Sequence, residues 1–105
     1  MVVKGSELPY DAKGRKLLSY GGSLMMVEVP IGKMEASPSL HSHPHEQISY
    51  ILKGSFKFFY GDKIDTLKQG DSIYLSPSLP HGVQSLEEGS VILDVFTPQR
   101  NDFLQ

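Results

Sequence analysis

Apolar and polar residues alternate through most of this chain in short runs, and no apolar stripe recurs at helical spacing over ten or more positions. The runs predict extended segments at Ser23–Val29 (SLMMVEV), Ser39–His43 (SLHSH), Gln47–Lys53 (QISYILK), Ser55–Tyr60 (SFKFFY), Ser72–Ser76 (SIYLS), Gly82–Leu86 (GVQSL) and Ser90–Phe96 (SVILDVF). Between them, "GG", "PIG", "GD", "QGD", "SLP" and "EEG" supply the glycine, proline and aspartate that tight turns require. Strands recurring roughly every 8–12 residues predict an all-β sandwich or small barrel. Residues 1–22 are polar and punctuated by glycine, which predicts an N-terminal extension made of an edge strand and a loop. Residues 23–105 then form a single domain. Gly54, between two β-prone runs, marks a sharp turn or a close approach of another backbone.

Composition narrows the function. With 105 residues, 39% hydrophobic, 21% charged and a net charge of -2, the chain has the profile of one ordinary globular domain. Its lysines are scattered, so no nucleic-acid surface is expected. The start, "MVVKGSELPY", lacks the apolar run of a signal peptide, and no stretch approaches the ~18 apolar residues of a membrane span. A cytoplasmic protein with no membrane partner is expected. Cysteine is absent, so any metal must be held by nitrogen and oxygen.

The candidate chemistry is concentrated in "LHSHPHEQISY", Leu40 to Tyr50, which holds three of the four histidines. His41 and His43 are two apart, so in a strand both project from one face. His81 follows a proline in "PSLPH", and a fold that closes two sheets over one interior would bring it to the same place. Three neutral imidazoles form a nitrogen cap for a divalent ion. Two neighbours compete to be the fourth ligand. Along a strand of period two, Gln47, Ser49 and Ile51 share one face, while Glu46, Ile48, Tyr50 and Leu52 share the other. Gln47 looks inward if the second set packs outside, but a bulge at Pro44 would bring in Glu46 instead. His45 falls in the connecting loop, as a residue of the site's mouth. An amide ligand would leave the ion its full charge, which favours Lewis-acid chemistry over oxygen activation.

A second constellation lies in "VILDVFTPQRNDFLQ". Asp94 interrupts an apolar strand, a costly position for a carboxylate unless it is paired or functional. Arg100 follows the turn at Pro98. Its planar fork suits either a structural ion pair with Asp94 or the carboxylate of a substrate.

These residues carry a resemblance to the cupins, which have a double-stranded β-helix or jelly-roll fold with six to eight core strands in two sheets. His41, His43, Gln47 and Gly54 fall at the spacings of the first cupin motif, and Gly70, Asp71, Pro77 and His81 at those of the second. Two positions depart from the pattern: Gly32 lies farther from His41 than usual, and Leu79 stands where glycine is common. "HSHPHEQ" with "DVFTPQRNDF" is further similar to the small cupins of pectin and alginate breakdown that ketonise 4,5-unsaturated uronates. That resemblance implies one divalent transition metal (Zn, Ni, Mn, Fe or Co) held by His41, His43, Gln47 and His81. It also implies that Asp94 moves a proton, Phe96 walls the sugar ring and Arg100 holds the carboxylate of an acidic sugar. Other cupins act as oxygenases or as non-catalytic binding modules, and the same motifs leave those readings open. Exposed sheet edges and the aromatic run Phe56, Phe58, Phe59 and Tyr60, with the way cupins associate, lead us to expect a homodimer.

Overall fold

In the computed structural model, which describes residues 1–104, eight antiparallel strands form two sheets. They are β1 (Lys16–Gly21), β2 (Leu24–Ile31), β3 (Glu46–Lys53), β4 (Ser55–Tyr60), β5 (Lys63–Lys68), β6 (Ser72–Leu75), β7 (His81–Ser85) and β8 (Ser90–Thr97). One sheet has the order β1-β2-β8-β3-β6 and the other β5-β4-β7. Two short 3-10 turns, Gly5–Glu7 and Asn101–Phe103, complete the described structure. The chain is therefore all-β, with the two-sheet architecture expected of a jelly roll.

Period-two alternation accounts for the strand faces. In β3, Gln47, Ser49 and Ile51 are buried, while Ile48, Tyr50 and Leu52 stand outside at 49%, 40% and 38% exposure. In β4, Phe56 and Phe58 point inward and join Ile51, Leu75 and Ile92 in one core cluster. The aromatic run therefore builds the interior and offers no docking edge at those two positions. A second cluster packs Met25 and Val27 of β2 against Phe96 of β8.

Two segments differ from their expected form. Ser39–His43 is not a strand; His41 alone makes an isolated bridge to His81. The segment is flanked by Pro38 and Pro44, which lack the N–H groups a longer ladder would use. Conversely, Lys63–Lys68 is a strand that no apolar alternation announces. It lies at the edge of the three-stranded sheet and is exposed at every position but Leu67.

Gly54 joins β3 to β4 at φ +77, and a Cβ added there would stand 2.0 Å from Ser90 Oγ and 2.8 Å from Ser90 Cα. Gly70 has a similar φ of +94 but open space around it. Replacing Gly70 by alanine should cost only the backbone strain, about 1 kcal/mol. Gly54→Ala adds a collision with β8 and should cost at least about 2 kcal/mol more. Urea unfolding of the two variants checks the difference.

Candidate metal centre

Backbone pairing assembles the histidines. His41 N–H donates to the His81 carbonyl at 2.9 Å and His81 N–H to the His41 carbonyl at 2.8 Å, so the loop before β3 is clamped to the first residue of β7. Ser78 N–H donates to the His43 carbonyl at 2.7 Å and fixes the third position. As a result, His41, His43 and His81 each offer a nitrogen within 4.8 Å of the others. His43 and His81 are buried, and His41 sits at the exposed side. Burial is the leading cause that lowers the pKa of all three, which keeps the rings neutral and able to act as ligands.

Hydrogen bonds set the tautomers. His81 Nδ1–H is satisfied by the Leu79 carbonyl at 2.8 Å, and His43 Nδ1–H by the His45 carbonyl at 3.2 Å. With the proton on Nδ1, each ring presents Nε2 as a lone pair. Gln47 is oriented from its other end. Its amide N–H groups donate to Ser49 Oγ at 2.9 Å and to Asp94 Oδ1 at 3.2 Å. A carboxylate accepts only from the nitrogen side, so the amide oxygen must face the histidines. There Gln47 Oε1 stands 3.0 Å from His43 Nε2. The Nε2–H tautomer of His43 would donate to that oxygen; the Nδ1–H tautomer turns two lone pairs toward each other, the arrangement a cation would hold, since atoms each about 2 Å from one ion stand about 3 Å apart. The donor set therefore fits a divalent metal. Glu46 lies on the opposite face of β3, where it accepts from Tyr74 O–H at 2.5 Å. The His45 ring lies beside that of His43, 5.4 Å between centroids, and its buried Nδ1 has no partner among the described residues.

Asp94 is directly opposite Ser49 in the β3–β8 ladder. Ser49 O–H donates to Asp94 Oδ1 at 2.6 Å. Both hydrogen bonds reach Oδ1, and Oδ2 has none among the described residues. Burial pushes the carboxyl up to about 6, partly offset by Ser49, Gln47 and the charge of Arg100. The ion pair that Asp94 and Arg100 could have formed is absent. Arg100 instead grips Asp102, with Nε at 3.2 Å and Nη2 at 3.0 Å from its two oxygens. Asp102 lies two residues away, so this pair closes locally with little chain to order. Phe96 is buried with its ring 5.9 Å from that of His43, and the Arg100 guanidinium lies 5.3 Å from the Phe96 ring centre.

These groups line one cavity of about 250 Å³, shared by His41, Gln47, Ser49, Asp94, Phe96 and Arg100. Two further wall residues, Arg15 and Phe103, are given no role by the sequence, although Phe103 ends the stretch DVFTPQRNDF. Arg15 sits in a polar turn, and the one available signal for Phe103 is a lone aromatic in the polar tail "RNDFLQ".

A two-sheet antiparallel barrel with three converging histidines and a small cavity defines a metal-site jelly roll of the cupin kind. The cupin domain profile matches residues 25–96, and the chain belongs to that family. It is 41% identical over 103 residues to the pectin degradation protein KdgF of Dickeya dadantii, an alignment that covers 93% of each chain. Among solved structures it is similar to KdgF from Halomonas sp., with a TM-score of 0.90 and 28% identity over 98% of this chain and 97% of that one. It is also similar to an RmlC-like cupin from Shewanella frigidimarina, with a TM-score of 0.84 and 29% identity over 97% and 94%.

His81→Ala removes one of the three nitrogens, and the purified variant should lose bound metal, measured by elemental analysis. In metal-free protein, a carboxyl whose folded pKa is raised contributes stability that is complete below about pH 4 and is lost as pH rises through about 6. Wild type minus Asp94→Asn should therefore lose stability across that interval. The histidines' opposite dependence cancels in the difference, which urea midpoints at pH 4 and pH 7 in chelator would read.

Proposed function

We propose that this protein is a metal-dependent enzyme that ketonises 4,5-unsaturated uronates, with His41, His43, Gln47 and His81 holding the ion. The observation that carries the reading is the position of Asp94. It is a half-buried carboxylate joined to the histidine cluster through Gln47, with one oxygen free toward a cavity that Arg100 also lines. Similarity to two KdgF proteins, one of them named for pectin degradation, supports an acidic sugar as the substrate. When bound, the divalent ion (Zn, Ni, Mn, Fe or Co) supplies Lewis acidity, undiminished by its neutral ligands.

Ketonisation is an isomerisation. The C1–ring-oxygen bond opens as the C1 hydroxyl gives up its proton and becomes a carbonyl. The enol released at C5 becomes a ketone as C4 gains a proton. One proton leaves an oxygen and one reaches a carbon, so a single carboxyl able to give and regain a proton suffices. Asp94 Oδ2 fills this role, because Ser49 and Gln47 fix Oδ1 and leave the other oxygen free. Phe96 forms an apolar wall beside His43 that restricts water. Arg100 spends Nε and Nη2 on Asp102 and keeps Nη1 for the substrate's carboxylate.

The reading includes a cytoplasmic enzyme acting as a homodimer. The outer face of the five-stranded sheet, where Ile48, Tyr50 and Tyr74 are exposed, would be its apolar contact. Asp94→Asn should reduce turnover of an unsaturated uronate at least about a hundredfold with metal content unchanged. Decay of the ultraviolet absorbance of the conjugated acid reports the rate, and full activity in that variant would overturn the assignment.

A further inference from the structure

Arg15 lines the metal cavity from the turn before β1, on the opposite end of the chain from Arg100. Its surroundings are only partly structural. Nε donates to Asp11 Oδ2 at 2.9 Å, while Asp11 Oδ1 caps the turn by accepting from the backbone N–H groups of Lys13 and Arg15 at 2.9 Å each. The guanidinium stacks on Phe103, 3.9 Å from the ring centre, and Arg100 stacks on the same ring at 4.4 Å. One aromatic side chain thus holds two cations side by side. The Nη1 and Nη2 groups of Arg15, four N–H donors, have no protein partner among the described residues, although the side chain is only 21% exposed.

Two like charges held near one another, each with donors to spare, are stabilised when an anion lies between them. Arg100 stacks on both Phe96, the ring beside His43, and Phe103, whereas Arg15 stacks on Phe103, whose ring lies 5.6 Å from that of Phe96.

We propose that Arg15 is a second substrate-positioning residue, which closes with Arg100 on the acidic group of the substrate and gives the pocket its preference for an acid over a neutral sugar. This rests on the reading of the cavity as an acidic-sugar site, and it adds a residue from the N-terminal segment to that site. Recognition is then split between the two ends of the chain, which Phe103 brings together.

The alternative is that Arg15 only ties the N-terminal turn to the C-terminal tail. Binding of D-galacturonate, a saturated acid that cannot be ketonised, separates the two roles without turnover. In calorimetry on the metal-loaded full chain, Arg15→Gln should weaken galacturonate about tenfold. Arg15→Lys, which keeps the charge but not the fork, should fall in between. Asp11→Asn breaks the charge pair but leaves the guanidinium in place, and it should bind within about twofold of wild type. With an unsaturated uronate, Arg15→Gln should raise KM and leave kcat within about twofold.

Unchanged galacturonate affinity in Arg15→Gln, or an equal loss in Asp11→Asn, would overturn the proposal, as would a wild type that does not bind galacturonate. Arg15-dependent binding without any turnover of unsaturated uronate would instead sink the ketonisation reading and leave this inference standing.

Discussion

The register between β3 and β8 is the constraint on which the cavity depends. Gln47 lies opposite Phe96, Ser49 opposite Asp94 and Ile51 opposite Ile92, in the middle of the five-stranded sheet. Because side chains alternate faces with period two, a slip of one residue would turn the whole set outward and bring Ile48 and Tyr50 into the barrel. The apolar members prevent that slip: Ile51, Ile92 and Phe96 are each 3% exposed or less, and their burial holds the register in place. The polar members ride on it. Asp94 can be carried into a low-dielectric interior because Ser49 is delivered to the same rung of the ladder, where its hydroxyl offsets part of the desolvation.

Alternation makes the face sets of both strands legible in the sequence. QISYILK and SVILDVF each sort by period two into two face sets, but SVILDVF is apolar on both faces and the more apolar set of QISYILK stands outside, so which set points inward depends on the fold; the histidine spacings are what make the family resemblance specific. The parts that could not be read are those where tertiary context replaces local pattern. The approach to His41 and His43 is a proline-bounded loop held by two backbone bonds to His81, and nothing in SLHSH distinguishes that from a short strand. β5 is polar on both faces and exists because β4 needs a neighbour. Asp94 and Arg100 have the charges of an ion pair, but the choice of Asp102 over Asp94 depends on where the C-terminal turn travels, which six residues of sequence do not specify. Arg15 lies 85 residues from Arg100 in sequence, and only the packing of both on Phe103 relates them.

The amide at position 47 links the two halves of the site by its asymmetry. Its nitrogen must face Asp94 and its oxygen must face His43, because a carboxylate accepts only a donor and a metal takes only a lone pair. A glutamate in the same place would set two carboxylates side by side. One of them would then be driven to hold a proton, at the expense either of the metal's ligand or of Asp94's freedom to exchange it. Glutamine avoids that competition. As a ligand it would leave a metal's charge intact, and it lends Asp94 a hydrogen bond that would tie the carboxylate's position to the ion's. In the proposed site, the neutral side chain is what would allow a metal and an acid–base group to sit within one hydrogen-bonded chain.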